Sequence, residues 1–158
     1  MKPSNLFILL CLAALSGPVF ADQKDDSQKI SASNSRPSSK APAEYFIGDV
    51  RLNPLFPTSD AASYSGGSVT FEPGARSNWH THPAGQYLIV TAGIGWTQQW
   101  GGPVVEIRTG DVVWCPPGVK HWHGATSTSA MTHIAITAVV DGKNVNWLER
   151  VSDDQYRK

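Results

Sequence analysis

Five histidines, His80, His82, His121, His123 and His133, all lie in the second half of the chain. Four of them form two H-x-H pairs, His80-Thr81-His82 and His121-Trp122-His123. Alternate residues of an extended strand point to the same side, so each pair can bring two imidazoles to one place. Imidazole suits first-row divalent metals, and several such groups arriving from separate strands make a preformed cage. Gln86 follows His82 after the turn-like Pro83-Ala84-Gly85, where its amide can close on the same ion as a further donor. One H-x-H pair could be an ordinary surface pair, but two in a small domain with glycine-rich turns point to a metal site. Histidine also titrates near neutrality, so imidazoles not taken up by an ion are candidates for acid–base work.

Such a cage needs rigid strands, and the sequence supplies them. Segments rich in Val, Ile, Thr and Trp run over Tyr45–Arg51, Ser68–Glu72, Gln86–Thr91, Gly95–Trp100, Val104–Arg108, Asp111–Cys115 and Met131–Val140. Turn sequences such as Glu72-Pro73-Gly74, Trp100-Gly101-Gly102-Pro103, Arg108-Thr109-Gly110-Asp111 and Asp141-Gly142 separate them. Pro116 and Pro117 cannot donate to a ladder, so they should end a strand just before His121. Many short strands at this spacing predict an all-β sandwich or barrel. Only Ser152 to Tyr156 reads as a short helical turn, with Ser152 as N-cap. Period-two alternation places Val69 and Phe71 on one face, taken as inward, and puts His133 on the same face as Ala135 and Thr137. Trp79, Trp114 and Trp122 are expected to pack in the core or at its rim, and Arg76 to brace the loop before His80 through a carboxylate.

The 158 residues suffice for one domain, and Lys plus Arg balance Asp plus Glu at 13 each. A chain without bulk charge has no electrostatic case for nucleic acid or an anionic membrane, so a small molecule is the expected partner. Met1 to Ala21 has a basic start at Lys2, an apolar run too short to span a bilayer, and small residues before a potential cut after Ala21. This describes a cleavable secretory signal over residues 1–21, and therefore a secreted or periplasmic protein with no membrane attachment after cleavage. Residues 22–43 are Ser-, Lys- and Asp-rich with few large apolar side chains, so a disordered linker is expected before a folded domain over 44–158. Without the signal only Cys115 remains, so no intrachain disulfide is available, and a buried small side chain is its expected role.

Two longer stretches resemble the paired motifs of the cupins. Gly74-Ala75-Arg76-Ser77-Asn78-Trp79-His80-Thr81-His82-Pro83-Ala84-Gly85-Gln86, closing at Gly93, is similar to the first, and Gly110-Asp111-Val112-Val113-Trp114-Cys115-Pro116-Pro117-Gly118-Val119-Lys120-His121 to the second. The resemblance implies a cupin jelly roll, a conical antiparallel β-barrel, with one divalent metal held by His80, His82, Gln86 and His121. Gln86 stands where many cupins carry Glu; a neutral donor leaves the ion its full charge and favours an anionic ligand.

Further runs, His121-Trp122-His123-Gly124-Ala125 and Met131-Thr132-His133-Ile134-Ala135-Ile136, are similar to manganese-containing cupins that act as hydroxynitrile lyases and to cupins associated with carboxymuconolactone decarboxylase. By that resemblance the expected activity is cleavage or formation of cyanohydrins, with His123 and His133 as acid–base groups and Val69, Phe71 and Thr137 shaping the substrate pocket. Manganese is the expected ion, with Fe, Ni or Zn compatible with the same donors. A dioxygenase or isomerase using the same site, or a non-catalytic binder, are the alternatives, because one barrel hosts many reactions. The resemblance also implies a homo-oligomer, dimer or tetramer. A signal peptide is a departure from lyases of this kind.

Overall fold

The computed structural model describes residues 27–157. The expected signal and residues 22–26 of the expected linker lie outside the described residues. The chain divides after Ile30, and residues 27–30 are exposed and without regular structure. From Ser31 onward, the alternating segments form strands β1 (Ser39–Lys40), β2 (Phe46–Ile47), β3 (Val50–Phe56), β4 (Tyr64–Phe71), β5 (Arg76–Ser77), β6 (His80–Thr81) and β7 (Gln86–Gln99). They continue as β8 (Val105–Arg108), β9 (Val112–Cys115), β10 (His121–Ala125), β11 (Met131–Ala138) and β12 (Asn146–Trp147), followed by the helix α1 (Asp153–Tyr156).

Every pairing is antiparallel, and the main path runs β1-β3-β4-β11-β7-β10-β5-β2. β6 joins β10 and β12, while β8 and β9 both pair with β7. The sheet curls on itself into a jelly-roll-like half-barrel.

β7 makes the curl possible. Its first half pairs with β9 and β11, and its second half with β8 and β10. At the changeover Gly93 has φ +76°, and a Cβ there would lie 1.9 Å from the Ala130 carbonyl oxygen, so only glycine fits. The sequence predicts two strands around this glycine; the structure runs them together, because a glycine inside a strand can mark a bend instead of a break.

The expected linker needs a correction at its end. Ser39 and Lys40 pair with Leu52 and Arg51, and Ala41 is buried, so ordered structure starts before Glu44. Polar residues suffice at this edge, which is held by the backbone pairing, the Ser38–Asn53 hydrogen bond and the Lys40–Asp49 ion pair.

Two apolar clusters flank the sheet. Inside the curl, Phe46, Val50, Val69, Phe71, Val90 and Met131 belong to the main core. Outside it, Trp79 and Trp122 pack with Val151 and Tyr156 beneath the C-terminal tail. Ser152 caps α1 in a reciprocal capping box with Gln155, and the Tyr156 hydroxyl donates to the Ala125 carbonyl at 2.8 Å. Arg76, 5% exposed, donates to the Val151 carbonyl and to Asp153, and lies 4.5 Å from the centre of the Tyr156 ring. Its brace therefore ties β5 to the tail. Trp114 differs from the other two tryptophans: it is half-exposed and lies tilted against Tyr87, with ring centres 4.4 Å apart.

Candidate metal centre

The H-x-H alternation works as a sorting device. In β10, His121 and His123 turn into the curl while Trp122 turns out to the tail, its indole Nε1 donating to Gln98 at 2.7 Å. The first pair follows suit, with Trp79 outward and bonded to Gln155. His80 then lies directly across from His121 in the β6–β10 pairing. One ring nitrogen from each of His80, His82 and His121 lies within 4.8 Å of the others.

Their orientation is set by the main chain. Nδ1 of His80 bonds to the Asn78 carbonyl at 2.8 Å, Nδ1 of His82 to the Asn144 carbonyl at 2.5 Å, and Nδ1 of His121 to the Val119 carbonyl at 2.9 Å. A carbonyl oxygen only accepts, so each Nδ1 carries the proton and each Nε2 presents a lone pair. Nε2 of His82 is buried without a hydrogen-bond partner among the described residues. Nε2 of His121 faces Oε1 of Gln86 at 3.4 Å, an acceptor opposite an acceptor. The three imidazoles are thus fitted to coordinate a divalent cation.

Burial keeps these rings neutral, as ligation requires. Desolvation lowers the His80 pKa well below its ordinary value, helped by the nearby His121 and His82. Desolvation also pushes His121 down to about 4, against the opposing pull of the Val119 carbonyl. His82 is lowered for the same main reason, with the Asn144 carbonyl and Gln86 working against it.

His123 and His133 form a second pair beside the first group. His133 sits next to a register shift between β11 and β7, where a bulge re-aims the strand. Its Nε2 lies 3.2 Å from Nδ1 of His123, while His123 Nε2 and His133 Nδ1 have no hydrogen-bond partner among the described residues. Burial lowers both, His133 to about 4, so a single hydrogen bond joins two neutral rings.

A cavity of about 320 Å³ joins the two groups. His80, His82, Gln86, His123 and His133 line it together with Val69, Ala135 and Thr137. Phe71 does not line it. It is fully buried behind the pair, with its ring centre 5.7 Å from that of His123 and 5.6 Å from that of His133. Alternation placed Phe71 on the inner face correctly, but carries no information on depth within the barrel.

Sequence reasoning overlooked the other wall. Trp147, in the two-residue strand β12, lies 4.9 Å from the His80 ring and stacks on Tyr45 at 4.8 Å and 11°. Both aromatic residues line the cavity. So short a strand leaves no periodicity to read. Cys115 is buried and unpaired, and burial pushes its thiol up to about 11, so it is held as a neutral packing group.

Residues 67–137 match the model of the Cupin domain family. The chain is 61% identical over 124 residues to an (R)-mandelonitrile lyase from Granulicella tundricola, covering 78% of this chain and 95% of that protein. It is 41% identical to a cupin-like protein from Thermotoga maritima of known structure, with a TM-score of 0.72 over 75% of this chain and 90% of the other. The polyketide cyclase RemF from Streptomyces resistomycificus shares the fold at 15% identity, with a TM-score of 0.65 over 82% of this chain and 91% of its own.

Proposed function

The chain belongs to the cupin domain family, and from that premise we propose that it is a metal-dependent lyase that cleaves or forms cyanohydrins. The observation that carries this reading is the neutral His123–His133 pair facing the three-histidine cluster across one small cavity. The high identity to a mandelonitrile lyase supports it.

His80, His82 and His121 would hold the ion, with Oε1 of Gln86 as the fourth donor, because a cation resolves the acceptor-to-acceptor contact at His121. A bound divalent ion supplies Lewis acidity to a hydroxyl or carbonyl oxygen, and four neutral donors leave that acidity undiminished. Manganese is the proposed ion, with Fe, Ni and Zn compatible with the same donors.

The rest falls to the chain's own groups. With His123 Nδ1–H donating to His133 Nε2, Nε2 of His123 is left with a lone pair that no other group takes up among the described residues, on a residue that lines the cavity. It takes the hydroxyl proton of the cyanohydrin as the bond between the carbinol and nitrile carbons breaks. The electron pair of that bond leaves with cyanide, and the proton returns from His123 to yield hydrogen cyanide and an aldehyde. Val69, Ala135, Tyr45 and Trp147 give the organic part an apolar seat and keep bulk water away from the two imidazoles. The test is elemental analysis of the purified chain alongside benzaldehyde release from mandelonitrile. Metal-dependent release supports the lyase, whereas a metal-loaded chain without release points to oxygenase or isomerase chemistry.

We further propose secretion or periplasmic export, supported by the signal-like residues 1–21. A dimer or tetramer is proposed as well, since Val112, Tyr87 and Trp114 offer exposed apolar surface.

A further inference from the structure

A second, larger cavity opens beside the first. It measures about 550 Å³ and shares Leu52, Val69, Ala135, Thr137 and Asn144 with the inner one, so the two adjoin along this wall. Its own walls are largely apolar, with Leu55, Phe56 and three prolines, Pro37, Pro54 and Pro57. Gly66 makes room for Phe56: a Cβ there would lie 2.4 Å from the phenyl ring. An aryl cyanohydrin needs only the inner chamber, which falls in the range of small-ligand sites of roughly 300–1,000 Å³. The outer volume is surplus to such a molecule.

Among the described residues, Arg36 is the one ionisable side chain lining this outer chamber, and no Lys, Asp or Glu lines either chamber. Its guanidinium makes one bond, to the Ser31 carbonyl at 2.5 Å, and pairs with no carboxylate among the described residues. Most of its donors are thus uncommitted. The segment that carries it is anchored: Ser38 donates to Asn53 at 3.0 Å, and Ser39 pairs with Leu52, itself a wall of both chambers.

We propose that the outer chamber is a substrate subsite, and that the substrates are carbonyl compounds or their cyanohydrins bearing an apolar arm that ends in a carboxylate held by Arg36. This rests on the lyase reading for what happens at the inner end. Arg36 is partly exposed and its neighbours Pro37, Pro54, Phe56 and Pro57 are exposed, so solvent and salt screen the attraction, and the grip comes from two parallel hydrogen bonds between guanidinium and carboxylate.

The test compares para-(carboxyethoxy)benzaldehyde with its neutral carboxamide counterpart on the metal-loaded full chain. Calorimetric titration measures binding of both aldehydes, and cleavage of their cyanohydrins gives kcat/KM. The carboxylate should bind about tenfold more tightly than the carboxamide, the effect expected of one charge-assisted pair. That ratio should collapse toward one in Arg36→Gln, persist in Arg36→Lys and shrink as salt is raised. Equal binding of the two aldehydes in the wild type, or a ratio untouched by Arg36→Gln, overturns the subsite. Failure to cleave mandelonitrile overturns the lyase reading instead, and the binding ratio still decides the role of Arg36.

Discussion

Acidifying the metal-free protein should destabilise it through His133, by an amount the structure sets. His133 is completely buried, and burial lowers its pKa from 6.5 to about 4. Between those values an unfolded chain takes up a proton that the folded chain refuses. Stability is therefore full above about pH 6.5 and declines as pH falls toward 4, with no further loss below that. The whole shift corresponds to about 3 kcal/mol, and about 2 kcal/mol of it is gone by roughly pH 5. The assay is urea denaturation of chelator-treated wild type and His133→Gln at about pH 7.5 and about pH 5. The other four buried histidines are present in both proteins, so the difference reports His133 together with its couplings to His123 and His80. The variant should lose about 2 kcal/mol less than the wild type across this interval. Equal losses would show that His133 is not held neutral by burial, and would remove the basis for treating it and His123 as a neutral pair.

Three other outcomes are expected. His80→Ala or His121→Ala should strip the metal, since each removes one nitrogen of the cluster; a stoichiometric ion retained on elemental analysis would contradict the assignment. His133→Ala should keep the metal but lower kcat by on the order of a hundredfold, with unchanged kcat reducing His133 to a wall residue. Arg76→Met should cost about 1–3 kcal/mol in denaturant titration, because the buried Val151 carbonyl loses its donors while Asp153 stays solvated.

What could be read in the sequence had a physical signature of its own. The longer strands show through β-branched residues and turn chemistry, and the capped final turn through Ser152. The imidazoles converge as their spacing implies, because strand alternation translates directly into side-chain direction. The rest depends on contacts between distant parts of the chain. β7 looks like two strands because the bend at Gly93 is explained only by Ala130, far along the sequence. β1 is hidden in a polar stretch because an edge strand can be held by its backbone. Tyr45 and Trp147 carry no local sign that they meet over His80, and the pairing of His123 with His133 needs the bulge between β7 and β11.

The three carbonyls that orient the metal-facing histidines have a consequence for how such a site can change over time. Asn78, Val119 and Asn144 act through their main-chain oxygens, so the ring tautomers are encoded in the path of the backbone and not in any side chain. A substitution at these positions that preserves the path leaves the donor set correctly protonated. Even Asn144, which faces both chambers, can be exchanged without withdrawing the acceptor from His82. Shape and chemistry are thereby separable: the walls are free to drift or be redesigned toward new carbonyl compounds while the metal centre is inherited intact.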